Sequence, residues 1–250
     1  MSLAGKHALV TGGGTGIGLA IAQDFAAQGC AVTITGRRQE VLDNACTERI
    51  FGNVMDVRDE ESVVSTIAAA VEARGPVQIC VANAGIAEGR AVHKTDLDFW
   101  RNMMATNLDG AFLTIRESLK SMRETDWGRV IAISSVAGLR GLQGAACYTA
   151  SKHGLIGLIR SLSEDYLGKP MTFNALCPAY VDTPIVTRNT ASIAKRANLS
   201  PDQAKAMMVS ANRHNRLIDS KEVSAAALWL ASPGSESVNG QAIEIAGGQM

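Results

Sequence analysis

A chain of 250 residues, 46% of them hydrophobic, is long enough to bury a sizeable core within a single domain. Its formal charge is zero with no long run of one sign, which offers nothing to nucleic acid or an anionic membrane, and no apolar run approaches the roughly 18 residues of a membrane span. The N-terminus MSLAGKHALV reaches a strand pattern almost at once, so a soluble cytoplasmic protein is expected. Five cysteines (Cys30, Cys46, Cys80, Cys147, Cys177) and four histidines show no metal-like spacing. Buried free thiols and no metal are expected, with Cys147, next to Tyr148, placed to line a site.

In chain order, Lys6–Thr11 reads as a short apolar strand, and TGGGTGIG (Thr11–Gly18) follows directly and opens a helix to about Gln28. Glycines there permit a tight turn and let the backbone approach a pyrophosphate, held by amides at the helix N-terminus. The second strand, Ala31–Thr35, ends in Thr35-Gly36-Arg37-Arg38, with no acid until Glu40. An acid about twenty residues beyond the glycine loop would accept the ribose 2′-hydroxyl of NAD. A guanidinium binds a 2′-phosphate instead, so NADP is favoured over NAD, with Arg37 as its reader. The alternative is that Arg37 and Arg38 are solvated residues at a helix start.

A third strand, Ile50–Met55, ends in Asp56-Val57, and an amphipathic segment from about Asp59 to Ala73 stops at Gly75-Pro76. The fourth strand, Val77–Ala82, runs into Asn83-Ala84-Gly85, and a long helical pattern from about Thr95 to Met122 contains Asn107. Val130–Ile133 reads as a fifth, buried strand; Ser134–Ser135 and a glycine-rich loop follow, then a helix from Tyr148 to about Tyr166. Tyr148 and Lys152 stand at i, i+4 and share one face. A tyrosine titrates too high to exchange protons at neutral pH, and a nearby ammonium lowers that value. Ser135, at the strand mouth, is placed to hydrogen-bond an oxygen on which charge develops. The competing reading is a half-buried tyrosine covered by a lysine stem.

Thr172–Cys177 gives a sixth strand, followed by Pro178-Ala179-Tyr180-Val181-Asp182-Thr183-Pro184. Over 178–221 seven Lys or Arg (Arg188, Lys195, Arg196, Lys205, Arg213, Arg216, Lys221) face three Asp, which suits an anionic substrate or a solvated face. A last helix starts at Ser220 and Gln241–Ala246 is the seventh strand. This alternation requires a parallel sheet with helices on both faces.

The Thr11-Gly12-x-x-x-Gly16-x-Gly18 loop, Ser135 and Tyr148-x-x-x-Lys152, in this order over essentially the whole chain, resemble the short-chain dehydrogenase/reductase family of the single-domain type. The resemblance implies a Rossmann-type doubly wound α/β fold, one domain over 1–250, seven strands in the order 3-2-1-4-5-6-7, and a homotetramer packed through the helices after strands four and five; the apolar Leu155, Leu158 and Leu162 are compatible with that interface and equally with ordinary core packing. It implies hydride transfer between a nicotinamide and a carbonyl or secondary alcohol, with Tyr148 exchanging the proton, Lys152 lowering its pKa and binding the ribose, Ser135 polarising the carbonyl and Asn107 holding a water against Lys152. For the cofactor it points to Gly12, Thr15, Gly16, Ile17 and Gly18 at the pyrophosphate. Asp56 and Val57 fall at the adenine, unless Asp56 is a helix N-cap. Asn83 and Gly85 remain as cofactor-site residues, and the Val181 backbone and the Thr183 hydroxyl are the candidates to hold the nicotinamide carboxamide.

Three positions depart from the family: Ala82 stands for Asn, Ala179 for Gly and Ala246 for Asp. Residues 185–216 correspond to the family's substrate lid. The wall after Ser135 (Val136, Ala137, Leu139, Leu142, with Arg140 and Gln143) is small and apolar, which suits a 3-oxoacyl/3-hydroxyacyl thioester better than a free hydroxybutyrate. A bulky ketone, hydroxy acid or secondary alcohol stays open as substrate. The reading from another class is a non-catalytic NADP-binding sensor or scaffold on the same fold.

Overall fold

A computed structural model describes residues 3–184, 186, 187, 190, 194 and 199–249. Seven strands form one parallel sheet: β1 (His7–Thr11), β2 (Ala31–Gly36), β3 (Ile50–Val54), β4 (Ile79–Ala82), β5 (Gly128–Ile133), β6 (Met171–Pro178) and β7 (Ala242–Ile245). Their order is β3-β2-β1-β4-β5-β6-β7, as the resemblance implied. The central strands are apolar at successive positions because helices cover both faces.

Side-chain alternation divides β1 between two cores. Ala8 and Val10 join Ile21 and Phe25 of α1 (Gly16–Ala27) and Val223, Ala227 and Leu230 of the last helix, α8 (Ser220–Leu230). Leu9, on the other face, meets Val63 and Ile67 of α3 (Glu60–Arg74), Ile115 and Leu119 of α5 (Gly110–Met122), and Leu155 and Ile159 of α6 (Ala146–Asp165). Phe25 and Phe173 are fully buried, one in each core; truncating either to alanine would cost about 3–5 kcal/mol.

Three differences from the sequence reading bear on the site. The helical pattern at 95–122 is broken into α4 (Leu97–Met104), a π-helical turn (Ala105–Asp109) and α5. A short α2 (Gln39–Asp43) and a further helix, α7 (Pro201–Ala211), fill stretches that had been given no bounded element. The signal for α7 was present: Ser200 and Gln203 form a capping box ahead of Pro201. Of the expected lid at 185–216, Ile185, Arg188, Lys195 and Arg196 lie outside the described residues. Of the two uses open to these leucines, Leu155 takes core packing, being 1% exposed in the core under the sheet, whereas Leu158 and Leu162 are partly buried beside an outer groove. Among the described residues no helix is long and apolar enough to cross a membrane.

Candidate active site

A cleft of about 1130 Å³ opens at the carboxyl ends of the strands, with the β1 and β4 ends on its floor. It lies where the strand order reverses, and its size suits an extended dinucleotide. Gly12 and Gly16 take φ of +64° and +55°, a conformation other residues avoid. A Cβ on Gly18 would stand 2.5 Å from the Gly12 carbonyl oxygen, and one on Gly16 3.2 Å from Thr183 Cγ2. The cradle therefore exists only with glycine at these positions.

Thr15 occupies the N-cap position of α1 but makes no side-chain cap, and no acid sits in the first turn. By contrast α3, α7 and α8 are capped by Asp59, Ser200 and Asp219. The leading amides of α1, Ile17 and Gly18 among them, are left without a side-chain acceptor at the positive helix end, beside the cleft. This arrangement fits a pyrophosphate.

Asn83 serves the loop from behind. Its Nδ2 donates to the Thr11 and Gly12 carbonyl oxygens at 2.7 and 3.3 Å, while Thr11 Oγ1 accepts from the Asn83 and Ala84 amides at 3.0 Å each. Ala82 is buried in β4, and these bonds form without the side chain that the family carries there.

At the far end of the cleft, β3 brings Asp56, Val57 and Arg58 beside Arg37 and Arg38. Arg58 donates through Nη2 to Asp56 Oδ2 at 2.6 Å and through Nη1 to Asn102 Oδ1 at 3.2 Å. That hydrogen bond from Arg58 holds the Asp56 carboxyl below its ordinary range, and Arg37 adds to the effect. Asp56 is not a helix cap, because α3 is capped by Asp59. Arg37, Arg38 and Arg58 all line this end, which makes it suitable for a phosphate.

The catalytic candidates converge at the mouth of β5. Ser135 is buried, its Oγ accepting from the Ala137 amide at 3.1 Å, and it hydrogen-bonds Tyr148. Lys152 Nζ donates to the Ile133 carbonyl oxygen at 2.8 Å and lies 5.8 Å from the Tyr148 ring centroid. Burial pulls the lysine down to about 8. The expected depression of Tyr148 by Lys152 is corrected: burial pushes the tyrosine above its ordinary value, opposed by the bond from Ser135. At neutral pH the hydroxyl is thus protonated.

Asn107, in the π-helical turn, is 1% exposed and holds both backbone groups of one residue. Its Oδ1 accepts from the Ile86 amide at 2.8 Å and its Nδ2 donates to the Ile86 carbonyl oxygen at 2.9 Å. Nδ2 also donates to Ser151 Oγ at 3.1 Å, and Ser151 donates to the Tyr148 carbonyl oxygen at 2.7 Å. Asn107 is tied to the catalytic helix through Ser151, which sequence reasoning missed although it lies three residues after Tyr148 on the same helix. Between these groups a Cβ on Gly85 would come 3.2 Å from Asn107 Oδ1 and 3.6 Å from Lys152 Nζ.

Val181 and Thr183 follow β6, and Thr183 Oγ1 donates to the Val181 carbonyl oxygen at 3.3 Å. Thr183 lines the cleft. Ala179 in place of glycine carries no strain, since among the described residues Asn215, at φ +53°, is the one non-glycine residue at positive φ. Ala246, in place of the family's Asp, is buried and accepts from the Arg213 amide at 3.1 Å through its carbonyl oxygen. Cys147 is buried, and Cys177, beneath Lys152, is pushed up to about 11 by burial, so it is a thiol at neutral pH. Arg58 was also missed, because nothing in its neighbours along the chain marks it.

The family model described as short chain dehydrogenase matches residues 6–194. The 3-oxoacyl-(acyl-carrier-protein) reductase MabA of Mycobacterium avium is 37% identical over 178 residues, 71% of this chain and 68% of that one. D-beta-hydroxybutyrate dehydrogenase of Cupriavidus necator is 31% identical over 253 residues, 98% of each. Among solved structures, actinorhodin polyketide ketoreductase crystallised with NADPH superposes with a TM-score of 0.95 at 32% identity, covering 99% of this chain and 98% of that one.

Proposed function

Since the chain belongs to the short-chain dehydrogenase family, we propose that it is an NADPH-dependent reductase of a 3-oxoacyl thioester. The observation that carries this reading is the group at the mouth of β5: Ser135 hydrogen-bonded to a protonated Tyr148, with Lys152 one turn on. NADPH, when bound, supplies a hydride to the carbonyl carbon. Tyr148 donates its proton to the carbonyl oxygen, and Ser135 hydrogen-bonds the same oxygen as charge develops on it. Lys152, cationic below about 8 and held by the Ile133 carbonyl oxygen, is the residue that would bind the nicotinamide ribose. Asn107 and Ser151 keep the catalytic helix aligned.

Gly12, Thr15, Gly16, Ile17 and Gly18 hold the pyrophosphate, Arg37 the 2′-phosphate, Asp56 and Val57 the adenine, and Val181 and Thr183 the nicotinamide, with Asn83 and Gly85 shaping the loops between. The Mycobacterium relative acts on 3-oxoacyl groups and the superposed ketoreductase was crystallised with NADPH, which supports both choices. The Cupriavidus relative supports the second reading, dehydrogenation of a short hydroxy acid. Val136 and Ala137 of the expected apolar wall are buried and offer a substrate no surface, so the choice of the thioester rests on the Mycobacterium relative.

The deciding assay follows NADPH oxidation with acetoacetyl-CoA against free acetoacetate, in wild type and Tyr148→Phe. Turnover of the thioester, abolished in the variant with NADPH binding retained, supports the proposal. Preference for the free acid favours the second reading, and NADPH binding with no turnover over a broad carbonyl panel favours a sensor.

We propose that a second copy packs against the outer groove between α5 and α6, where Phe112 is 45% exposed beside Leu158 and Leu162, as one of the interfaces of a homotetramer. Sedimentation of wild type against Leu158→Glu tests this, a shift to smaller species being expected. Four buried free thiols are compatible with the reducing cytoplasm.

A further inference from the structure

The segment that follows β6, residues 179–183, is held by few bonds of its own. Its Ala179 amide donates to the Ile245 carbonyl oxygen at 3.0 Å, after which the chain leaves the sheet. Beyond that point a turn at the end of α7 takes over. Asn212, the residue that closes α7, is fully buried. Its Oδ1 accepts from the Tyr180 amide at 3.0 Å, and its Nδ2 donates to the Tyr180 carbonyl oxygen at 2.9 Å and to that of Arg216 at 2.7 Å.

The turn is arranged for this contact. The Asn215 amide donates to the Asn212 carbonyl oxygen at 2.9 Å, and Asn215 takes φ +53°, which a short polar side chain tolerates. The chain then runs beside 180–182: the Ile218 amide donates to Tyr180 at 3.0 Å, the Asp182 amide to Ile218 at 2.9 Å, and Val181 bridges Ile218. Asn107 holds both backbone groups of Ile86 in the same way on the loop after β4. Two buried asparagines thus brace the loops after β4 and β6, which flank β5. The Tyr180 side chain, in turn, lies close enough to Tyr148 to disfavour its ionisation.

We propose that Asn212 is a positioning residue for hydride transfer: by holding both backbone groups of Tyr180 it sets residues 179–183 so that Val181 and Thr183 meet the nicotinamide and Tyr180 borders the substrate beside Tyr148. The inference rests on the reductase reading above. A side-chain amide is suited to the task because it presents a donor and an acceptor together; without it the Tyr180 amide would lose its acceptor and the Tyr180 carbonyl would keep only the Ile218 amide. A misplacement of about 1 Å at this point is enough to slow a transfer that depends on near-contact geometry.

The test is calorimetric titration of wild type, Asn212→Ala and Asn212→Asp with NADPH and with 2′-phospho-ADP-ribose, which lacks the nicotinamide. Asn212→Asp keeps the acceptor for the Tyr180 amide and loses both donated bonds, so it serves if the alanine variant does not fold. The expected result is NADPH binding weakened about tenfold, the scale of one or two buried hydrogen bonds, with 2′-phospho-ADP-ribose binding unchanged. Turnover should fall, and the isotope effect from NADPH deuterated at the transferred position should rise. Equal weakening of both ligands, or of neither, would overturn the proposal, because a merely structural asparagine would not separate them. Wild type that binds neither ligand would instead refute the reductase reading.

Discussion

Replacing Lys152 by methionine should abolish turnover and yet stabilise the cofactor-free protein at neutral pH. Lys152 is 4% exposed, and burial moves its ammonium from 10.5 to about 8. At about 1.36 kcal/mol per pH unit, keeping that charge inside at pH 7 costs roughly 3 kcal/mol. Methionine has similar length and no charge, but it leaves the Ile133 carbonyl oxygen without its 2.8 Å donor. That loss is worth about 1–2 kcal/mol, so the variant should gain about 1–2 kcal/mol, a few degrees in Tm for a chain of this size.

The pH dependence is the sharper check. The unfolded lysine keeps its proton up to 10.5 and the folded one only up to about 8, so between these values the unfolded state binds more protons. Wild-type stability therefore rises with pH across that window, and the variant's does not share the rise. The advantage of Lys152→Met should be full below about 8 and gone by 10.5, leaving only the cost of the missing hydrogen bond. Thermal melts of both proteins from neutral to alkaline pH measure the gap directly. A variant that melts below wild type at pH 7, or a gap that ignores pH, would refute the reasoning.

Arg37→Ala should weaken NADPH binding about tenfold and leave NADH nearly unchanged, with Arg58→Ala showing a smaller effect of the same kind. Fluorescence titration with both cofactors checks this, and equal losses for the two would remove the 2′-phosphate from the explanation. Reductive kcat/KM should be level below about 8 and fall above it as Lys152 loses its charge beside the developing alkoxide, while Tyr148, which burial raises, keeps its proton across that step and the oxidative rate shows no matching climb. Initial rates in both directions over that range decide it; a reductive rate that climbs through pH 8 is the contrary result. Gly18→Ala places a methyl 2.5 Å from the Gly12 carbonyl oxygen. Its NADPH affinity should drop at least about tenfold, since backbone would have to move in the cradle; unchanged affinity in the same titration would count against that cradle.

Local patterns carried the fold. Apolar strands followed by amphipathic helices, with glycine or proline between them, show on one line of residues, so the order of the strands was legible; the errors fell at element ends and in the helices, where α2 and α7 had no bounds and a π-helical turn interrupts 95–122. β4, for example, begins at Ile79 and not Val77. The site was legible wherever its parts share a short segment. Tyr148 and Lys152 share a helix, and Gly12, Gly16 and Gly18 share one turn with a strand before it. Where a role depends on what surrounds a group, it was not: the direction of the Tyr148 pKa is set by burial, which spacing along α6 does not reveal.

Strand-helix alternation and the spacing of the glycine, serine, tyrosine and lysine motifs, all expressed in neighbouring residues, were determined by the sequence alone. Only the tertiary structure decided that Arg58 stands beside Arg37, because β3 pairs with β2 and brings together residues 21 positions apart. It also decided that Leu155 faces the core, and that Asn212 reaches back 32 positions to Tyr180. Each of these is a contact between segments whose separation in sequence leaves no periodic mark, and such contacts exist only once the sheet has set the segments side by side.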